Sequence, residues 1–266
     1  MEILRGNPEL AGSIVLNMAV CAILAVLSSA LTALYIDRDY GLTLMGWTLA
    51  AVIVMSLIFL LNPGLIRRKS ERSIRKSLGL SNLLTTLRIV ATVPILVSFL
   101  EGYITAAFII YVIAALTDVL DGIIARRYSQ ITVIGIMIDP VGDILNTEAV
   151  FFWLWRAGEV PGWLLVILTV RYIEFFLGWI FLFVTGRELP LSATLAGKSV
   201  GVIQFSGIII MLFDMVSKQF EIAGPARDIM MYILGISFIT VIISQTVIGW
   251  NAFRIEPGHS VTSEEL

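Results

Sequence analysis

Hydrophobic residues run in long blocks along this chain, separated by short polar stretches. The apolar blocks cover roughly 11–36, 41–63, 83–100, 103–124, 134–155, 161–185, 196–216 and 228–250. Each is close to the roughly 20 residues a helix needs to cross the hydrocarbon core of a bilayer. Eight spanning helices are therefore predicted, making the chain an all-α polytopic membrane protein. Composition agrees: 58% of the 266 residues are apolar and 14% charged, where soluble domains carry about 25% charged residues. Mean hydropathy is +0.93. The apolar run after Leu10 is too long for a signal-peptide core and has no clean cleavage site, so no cleaved leader is expected.

The polar interruptions suggest orientation and segmentation. Arg67, Arg68, Lys69, Arg72, Arg75 and Lys76 lie between the second and third blocks, Arg126 and Arg127 after the fourth, and Arg187 and Lys198 before or at the start of the seventh. With eight spans these fall on one side, together with Arg5 and Arg254 near the termini, while the opposite loops hold only Arg38, Arg156, Lys218 and Arg227. The positive-inside rule then places both termini in the cytoplasm. Residues 1–64 are expected to form an accessory transmembrane hairpin and 65–80 a basic segment lying in the interface or serving as a solvated linker. Residues 81–250 form the six-helix functional domain in this division, and 251–266 a polar cytoplasmic tail. One cysteine, Cys21, excludes a disulfide framework and reads as a small buried apolar residue. One histidine, His259, lies in the tail, which argues against histidine-based metal binding or catalysis. The tryptophans read as interfacial belts and helix packing.

Four aspartates stand out against this apolar background. Asp118, Asp121, Gly122 and Ala125 follow i, i+3, i+4, i+7, one stripe of a helix, while Gly135, Asp139 and Asp143 follow i, i+4, i+8, one stripe of the next. Carboxylates at membrane depth are costly unless paired, and packing these helices together would gather four of them. Hard divalent cations prefer such oxygens and often share coordination with substrate phosphates, so the set favours Mg²⁺ or Mn²⁺ over zinc. Two ions could bridge a diphosphate and orient an in-line attack on phosphorus. Arg126, one turn beyond Gly122, suits a phosphate oxygen. Gly122 would admit a close ligand or a neighbouring helix, and for Gly135 close helix packing is the preferred reading.

The pattern Asp118-x2-Asp121-Gly122-x2-Ala125-Arg126-x8-Gly135-x3-Asp139-x3-Asp143 resembles, at every defined position, the signature of the CDP-alcohol phosphotransferases. The resemblance implies a six-helix membrane core, preceded here by the extra hairpin, and a metal-dependent site open to the cytoplasm. It also implies transfer of a phosphoalcohol group from a CDP-linked donor to a hydroxyl acceptor, with release of CMP. Carried over position by position, Asp118, Asp121, Asp139 and Asp143 are the expected metal ligands, and Asp143 also the general base. Gly122, Arg126 and Thr132 match donor-contacting positions, although Thr132 could instead cap the next helix. Asn82-x2-Thr85-x2-Arg88 is similar to the family's Asn-x2-Thr segment, which puts Asn82 and Thr85 on the nucleotide side. A helix cap is the other reading for Asn82. The expected partners are CDP-diacylglycerol, a small alcohol acceptor and membrane lipids, with no nucleic acid, and the family resemblance implies a homodimer. The expected location is a bacterial or archaeal cell membrane.

Downstream, IDPVGDILNTEAV, Arg171-x2-Glu174, Gly197-Lys198 and Gln204 resemble the bacterial phosphatidylglycerophosphate synthase branch, which makes glycerol 3-phosphate the favoured acceptor. Arg127, Arg171, Arg187 and Lys198 would hold its phosphate. Ordinary roles are open to them too: a topology charge for Arg127 and Arg187, or an interhelical pair of Arg171 with Glu174. The chain departs from that branch at Ile144, where a lysine is usual, and at Ser199-Val200-Gly201, which lacks a second lysine. Inositol phosphate, serine or phosphatidylglycerol as acceptor, and a CDP-choline or CDP-ethanolamine donor, therefore stay open. A cation transporter using the aspartates as an ion path would be expected to show discontinuous helices or repeats, neither of which is visible. An inactive scaffold is disfavoured by the presence of all four aspartates.

Overall fold

The computed structural model describes residues 6–66, 76–127, 132–185, 195–217 and 224–254. Side chains are described there except at 118–119, 121–126, 179, 182–184, 195–199, 217, 224–227 and 251–254. The basic stretch 67–75 and Arg187 lie outside the described residues.

Among the described residues there are eight α-helices: α1 (Pro8–Tyr35), α2 (Arg38–Leu61), α3 (Leu80–Leu100), α4 (Ile104–Arg127), α5 (Val133–Arg156), α6 (Gly162–Val184), α7 (Leu195–Ser217) and α8 (Gly224–Arg254). Each overlies one apolar block, as expected where backbone groups must be satisfied within the segment itself. The chain is a multi-pass membrane protein. α1, α2, α3 and the Asp228–Trp250 stretch of α8 are long and apolar enough to cross a membrane, while Ile104–Thr117 and Val200–Val216 are apolar but shorter. Leu16, Ile23, Leu27, Ile53 and Leu57 on the first two helices are exposed, a surface suited to lipid rather than water.

The chain divides into two compact units, Met1–Trp153 and Leu154–Leu266. In the first, α1 and α2 form a hairpin with capped ends. Asn7 Oδ1 accepts from Leu10 N at the start of α1, with Pro8 in the first turn, and Asp37 Oδ1 accepts from Tyr40 N at 2.7 Å at the start of α2. The helices come close enough that a Cβ on Gly41 would lie 2.5 Å from Ala33 N. The hairpin is not a detached anchor. Leu10, Ile14, Met18 and Cys21 of α1 and Val52, Met55 and Phe59 of α2 share one buried cluster with Leu78, Val90 of α3 and Ile134 and Ile138 of α5. Leu78 N also donates to Ser13 Oγ at 2.9 Å. Gly79, with φ +85°, turns the chain into α3, a conformation that costs a glycine little. At the far end of α3, Trp153 Nε1 donates to the Phe99 carbonyl at 3.0 Å and the two rings stack with centroids 4.2 Å apart.

In the second unit α6 and α8 run parallel: Trp163 stacks on Tyr232 near the start of both, and Thr246 Oγ1 donates to Glu174 Oε1 at 3.1 Å further along. A Cβ on Gly235 would meet the Trp163 ring at 2.6 Å, so these helices touch through a missing side chain.

Candidate active site

α3 and α5 build the described part of the site. On α3, Asn82, Thr85 and Arg88 recur every three residues and so follow one side of the helix. On α5 the corresponding side carries Gly135, Asp139, Gly142, Asp143 and Asn146.

Two layers of hydrogen bonds tie these sides together. In the first, Thr132 Oγ1 accepts from Gly135 N at 3.1 Å, capping α5, and donates to Asn82 Oδ1 at 3.0 Å. Asn82 Nδ2 donates back to the Leu78 carbonyl. Gly79, not Asn82, is the cap residue of α3. Asn82 and Thr132 are buried, at 2% and 1% exposure, so these two expected donor contacts form an interhelical strut in this structure. Gly135 makes the strut possible, because a Cβ there would lie 2.7 Å from Asn82 Oδ1. Gly135→Ala is therefore expected to cost about 1–3 kcal/mol of stability. Thermal unfolding of the detergent-solubilised protein checks this, and an unchanged midpoint would show that the Asn82 amide can retreat freely.

The second layer holds the carboxylates. Thr85 Oγ1 donates to Asp139 Oδ1 at 2.6 Å, the nearer of its two acceptors, the Ser81 carbonyl being at 3.2 Å. Arg88 is only 3% exposed, yet its guanidinium faces both α5 aspartates: Nη2 lies 3.7 Å from Asp139 Oδ1 and Nη1 lies 3.5 Å from Asp143 Oδ1. Nη2 also donates to the Asp139 carbonyl at 3.2 Å. Asn146 Nδ2 donates to the Arg88 carbonyl at 3.1 Å and to Gly142 O at 3.0 Å, fixing the helices at this level. A Cβ on Gly142 would stand 3.1 Å from Arg88 Nε, so the absent side chain gives the guanidinium its passage. The carboxylates themselves are half open, at 44% and 57% side-chain exposure. A buried cation behind two accessible anions is the electrostatic plan of the site.

Of the other predicted residues, Asp118, Asp121, Gly122 and Arg126 lie on α4, with side chains outside those described. Arg127 is exposed at the end of that helix. Arg171, in the second unit, donates to Gln204 Oε1 at 2.7 Å and lies 5.3 Å from the Tyr172 ring centroid. Glu174 bonds Thr246, so the hydrogen bond that Arg171 makes across the helices goes to Gln204. Lys198 lies on α7, its side chain outside those described. A cleft of about 430 Å³ lined by Glu159, Trp163, Asp228 and Tyr232 contains none of the predicted site residues.

Among the described residues no three acidic, cysteine or histidine side chains cluster as a complete metal site. The two described carboxylates do fit part of one. They are accessible oxygen donors one turn apart, the ligand type that Mg²⁺ and Mn²⁺ take. Sequence reasoning gave no site role to Arg88, Gly142 and Asn146. The signals were there: Arg88 continues the spacing of Asn82 and Thr85, and Gly142 and Asn146 flank Asp143 on its own stripe.

Residues 78–248, which contain both layers, match the family model described as CDP-alcohol phosphatidyltransferase. The chain belongs to that family. This phosphatidyltransferase-family chain is 30% identical over 99 residues to a probable phosphatidylglycerophosphate synthase of Mycobacterium tuberculosis (strain ATCC 25618 / H37Rv), covering 35% of the chain and 47% of that protein. It is 28% identical over 149 residues to the CDP-diacylglycerol–glycerol-3-phosphate 3-phosphatidyltransferase of Bacillus subtilis (strain 168), covering 56% and 72%. A cardiolipin synthase (CMP-forming) of Oryza sativa subsp. japonica is 36% identical over 131 residues, covering 44% and 35%. The chain thus spans about half the length of the mycobacterial relative it matches. No solved structure matches it.

Proposed function

We propose that this protein transfers the phosphatidyl group of CDP-diacylglycerol to an alcohol, with glycerol 3-phosphate as the acceptor and CMP as the leaving group. The observation that carries the reading is the pair Asp139 and Asp143, held on one side of α5 by Thr85 and Arg88 inside the span that matches the family.

Asp118, Asp121, Asp139 and Asp143 would hold the divalent cations, which supply positive charge to the donor diphosphate when bound. Asp143 takes the acceptor's hydroxyl proton, the acceptor oxygen forms a bond to the β-phosphorus, and the bond from that phosphorus to the CMP oxygen breaks. Thr85 bonds Asp139, and the charge of Arg88 draws Asp143 towards α3, which favours one orientation of the base towards the hydroxyl. Gly122 and Arg126, with Thr85 beneath Asp139, are the residues we assign to the nucleotide side. Arg127, Arg171, Arg187 and Lys198 are our candidates for the acceptor phosphate. The excess of Lys and Arg on one set of loops supports a cytoplasmic site and cytoplasmic termini.

The names of the mycobacterial and Bacillus relatives support glycerol 3-phosphate, while Ile144 and Ser199-Val200-Gly201 mark a less basic acceptor region than that branch usually has. The cardiolipin synthase relative gives a second reading, with phosphatidylglycerol as acceptor. CMP release by the purified protein with CDP-diacylglycerol and Mg²⁺ or Mn²⁺, across glycerol 3-phosphate, phosphatidylglycerol, serine, inositol and inositol phosphate, separates them. Release with glycerol 3-phosphate is expected. Release with phosphatidylglycerol alone would move the assignment to the second reading, and silence with every acceptor would sink both.

A further inference from the structure

We propose that Arg88 is the positioning residue of the metal site. Its guanidinium holds one oxygen of Asp139 and one of Asp143, leaves the other oxygen of each for the cation, and supplies the charge that steadies both carboxylates before the cation arrives. The inference rests on the metal-dependent reading above and deepens it.

Three features of the geometry carry it. First, the arrangement is layered. Arg88 is buried while its carboxylate partners are half exposed, so the permanent positive charge sits on the protein side of the pair. Thr85 and Arg88 both address Oδ1 of Asp139, and Arg88 addresses Oδ1 of Asp143. Second, the separations of 3.5 and 3.7 Å exceed the roughly 2.7–2.9 Å of a charge-assisted hydrogen bond. The attraction is therefore electrostatic and leaves the carboxylates able to take a second cation. Third, the guanidinium is anchored independently of the side-chain oxygens it faces. Nη2 donates to the Asp139 carbonyl, and the space beside Nε exists because residue 142 is glycine, while Asn146 holds the backbone beneath by donating to the Arg88 carbonyl.

The physical need is plain. Asp139 and Asp143 are one turn apart on the same helix, where like charges repel. A bound divalent cation removes that repulsion, but the metal-free protein must manage it alone. Arg88 then does part of the cation's electrostatic work in advance, which keeps the ligands from scattering.

The test is the unfolding temperature of the full-length protein in detergent, with divalent cations chelated and with saturating Mn²⁺, for wild type, Arg88→Gln and Arg88→Lys. Arg88→Gln is expected to be less stable without metal and to gain at least about twice the wild-type Mn²⁺-induced rise, because Mn²⁺ then replaces a charge the protein has lost. Arg88→Lys keeps the charge but not the planar fork. It should show the wild-type Mn²⁺ response with CMP release at least about tenfold lower. A Mn²⁺ rise in Arg88→Gln equal to that of wild type would make Arg88 a purely structural strut and overturn the proposal. Absence of any Mn²⁺ rise in wild type would instead defeat the metal-dependent reading beneath it. Should Arg88→Gln not fold, Arg88→Lys decides: undiminished CMP release in that variant overturns the assignment.

Discussion

Asp143→Asn is expected to lower acceptor-dependent CMP release by about 10²–10⁴-fold, the range over which a positioned general base contributes. The substitution is chosen because it changes so little else. Asparagine has the size of aspartate, and its side-chain oxygen can still face Arg88 Nη1, which lies 3.5 Å from Oδ1 in the native protein. The neighbouring Asp139 keeps its own bond from Thr85. What disappears is the capacity to take a proton, together with one of the four negative charges offered to the cations. With Asp118, Asp121 and Asp139 left to hold the cations, CDP-diacylglycerol binding should stay measurable while turnover collapses, and measuring both on one preparation separates a lost base from a lost site. Turnover at the wild-type level would remove Asp143 from the role of base.

Removing divalent cations is the second large effect. Chelation is expected to depress CMP release by more than about 10²-fold, the scale on which loss of charge stabilisation at a reacting centre acts. Adding back Mg²⁺ or Mn²⁺ should restore it. The proposed donor set supports this choice of metals: the described candidates, Asp139 and Asp143, offer carboxylate oxygens, and neither the one cysteine nor the one histidine lies on α3, α4 or α5. Zn²⁺, which favours nitrogen and sulfur, should restore little. Recovery on add-back distinguishes a metal requirement from irreversible unfolding. Full activity in the chelated protein would leave the aspartates needing another explanation.

The eight helices were legible because their signal is local. An apolar block near the span of a bilayer has little choice but to be helical, and the predicted 41–63 and 134–155 differ from α2 and α5 by only a few residues at each end. Asp139 and Asp143 were legible for a related reason, since charged groups at fixed helical spacing are conspicuous against apolar residues. The pairings were not. Thr132 meets Asn82 fifty positions away in sequence, and Arg88 meets Asp139 across 51. Periodicity states which side of a helix a residue occupies but not which helix that side meets. Arg88 thus looked like one more residue in a stripe, and its meaning emerged only when α3 was laid against α5. The hairpin was segmented from the rest by a change in composition at residue 64, a signal blind to the fact that Met18, Cys21 and Phe59 share a core with Val90 and Ile138.

That shared core has a practical consequence. Cys21 is the only thiol in the chain and is 1% exposed, enclosed among the side chains that join the hairpin to α3 and α5. A thiol so enclosed is expected to react slowly with water-soluble maleimides. A cysteine introduced into any connecting loop would be the sole reactive one, and an impermeant reagent would then report which side that loop faces. The native protein should then serve as an unlabelled background for such mapping, with no residue to be cut out of its core first.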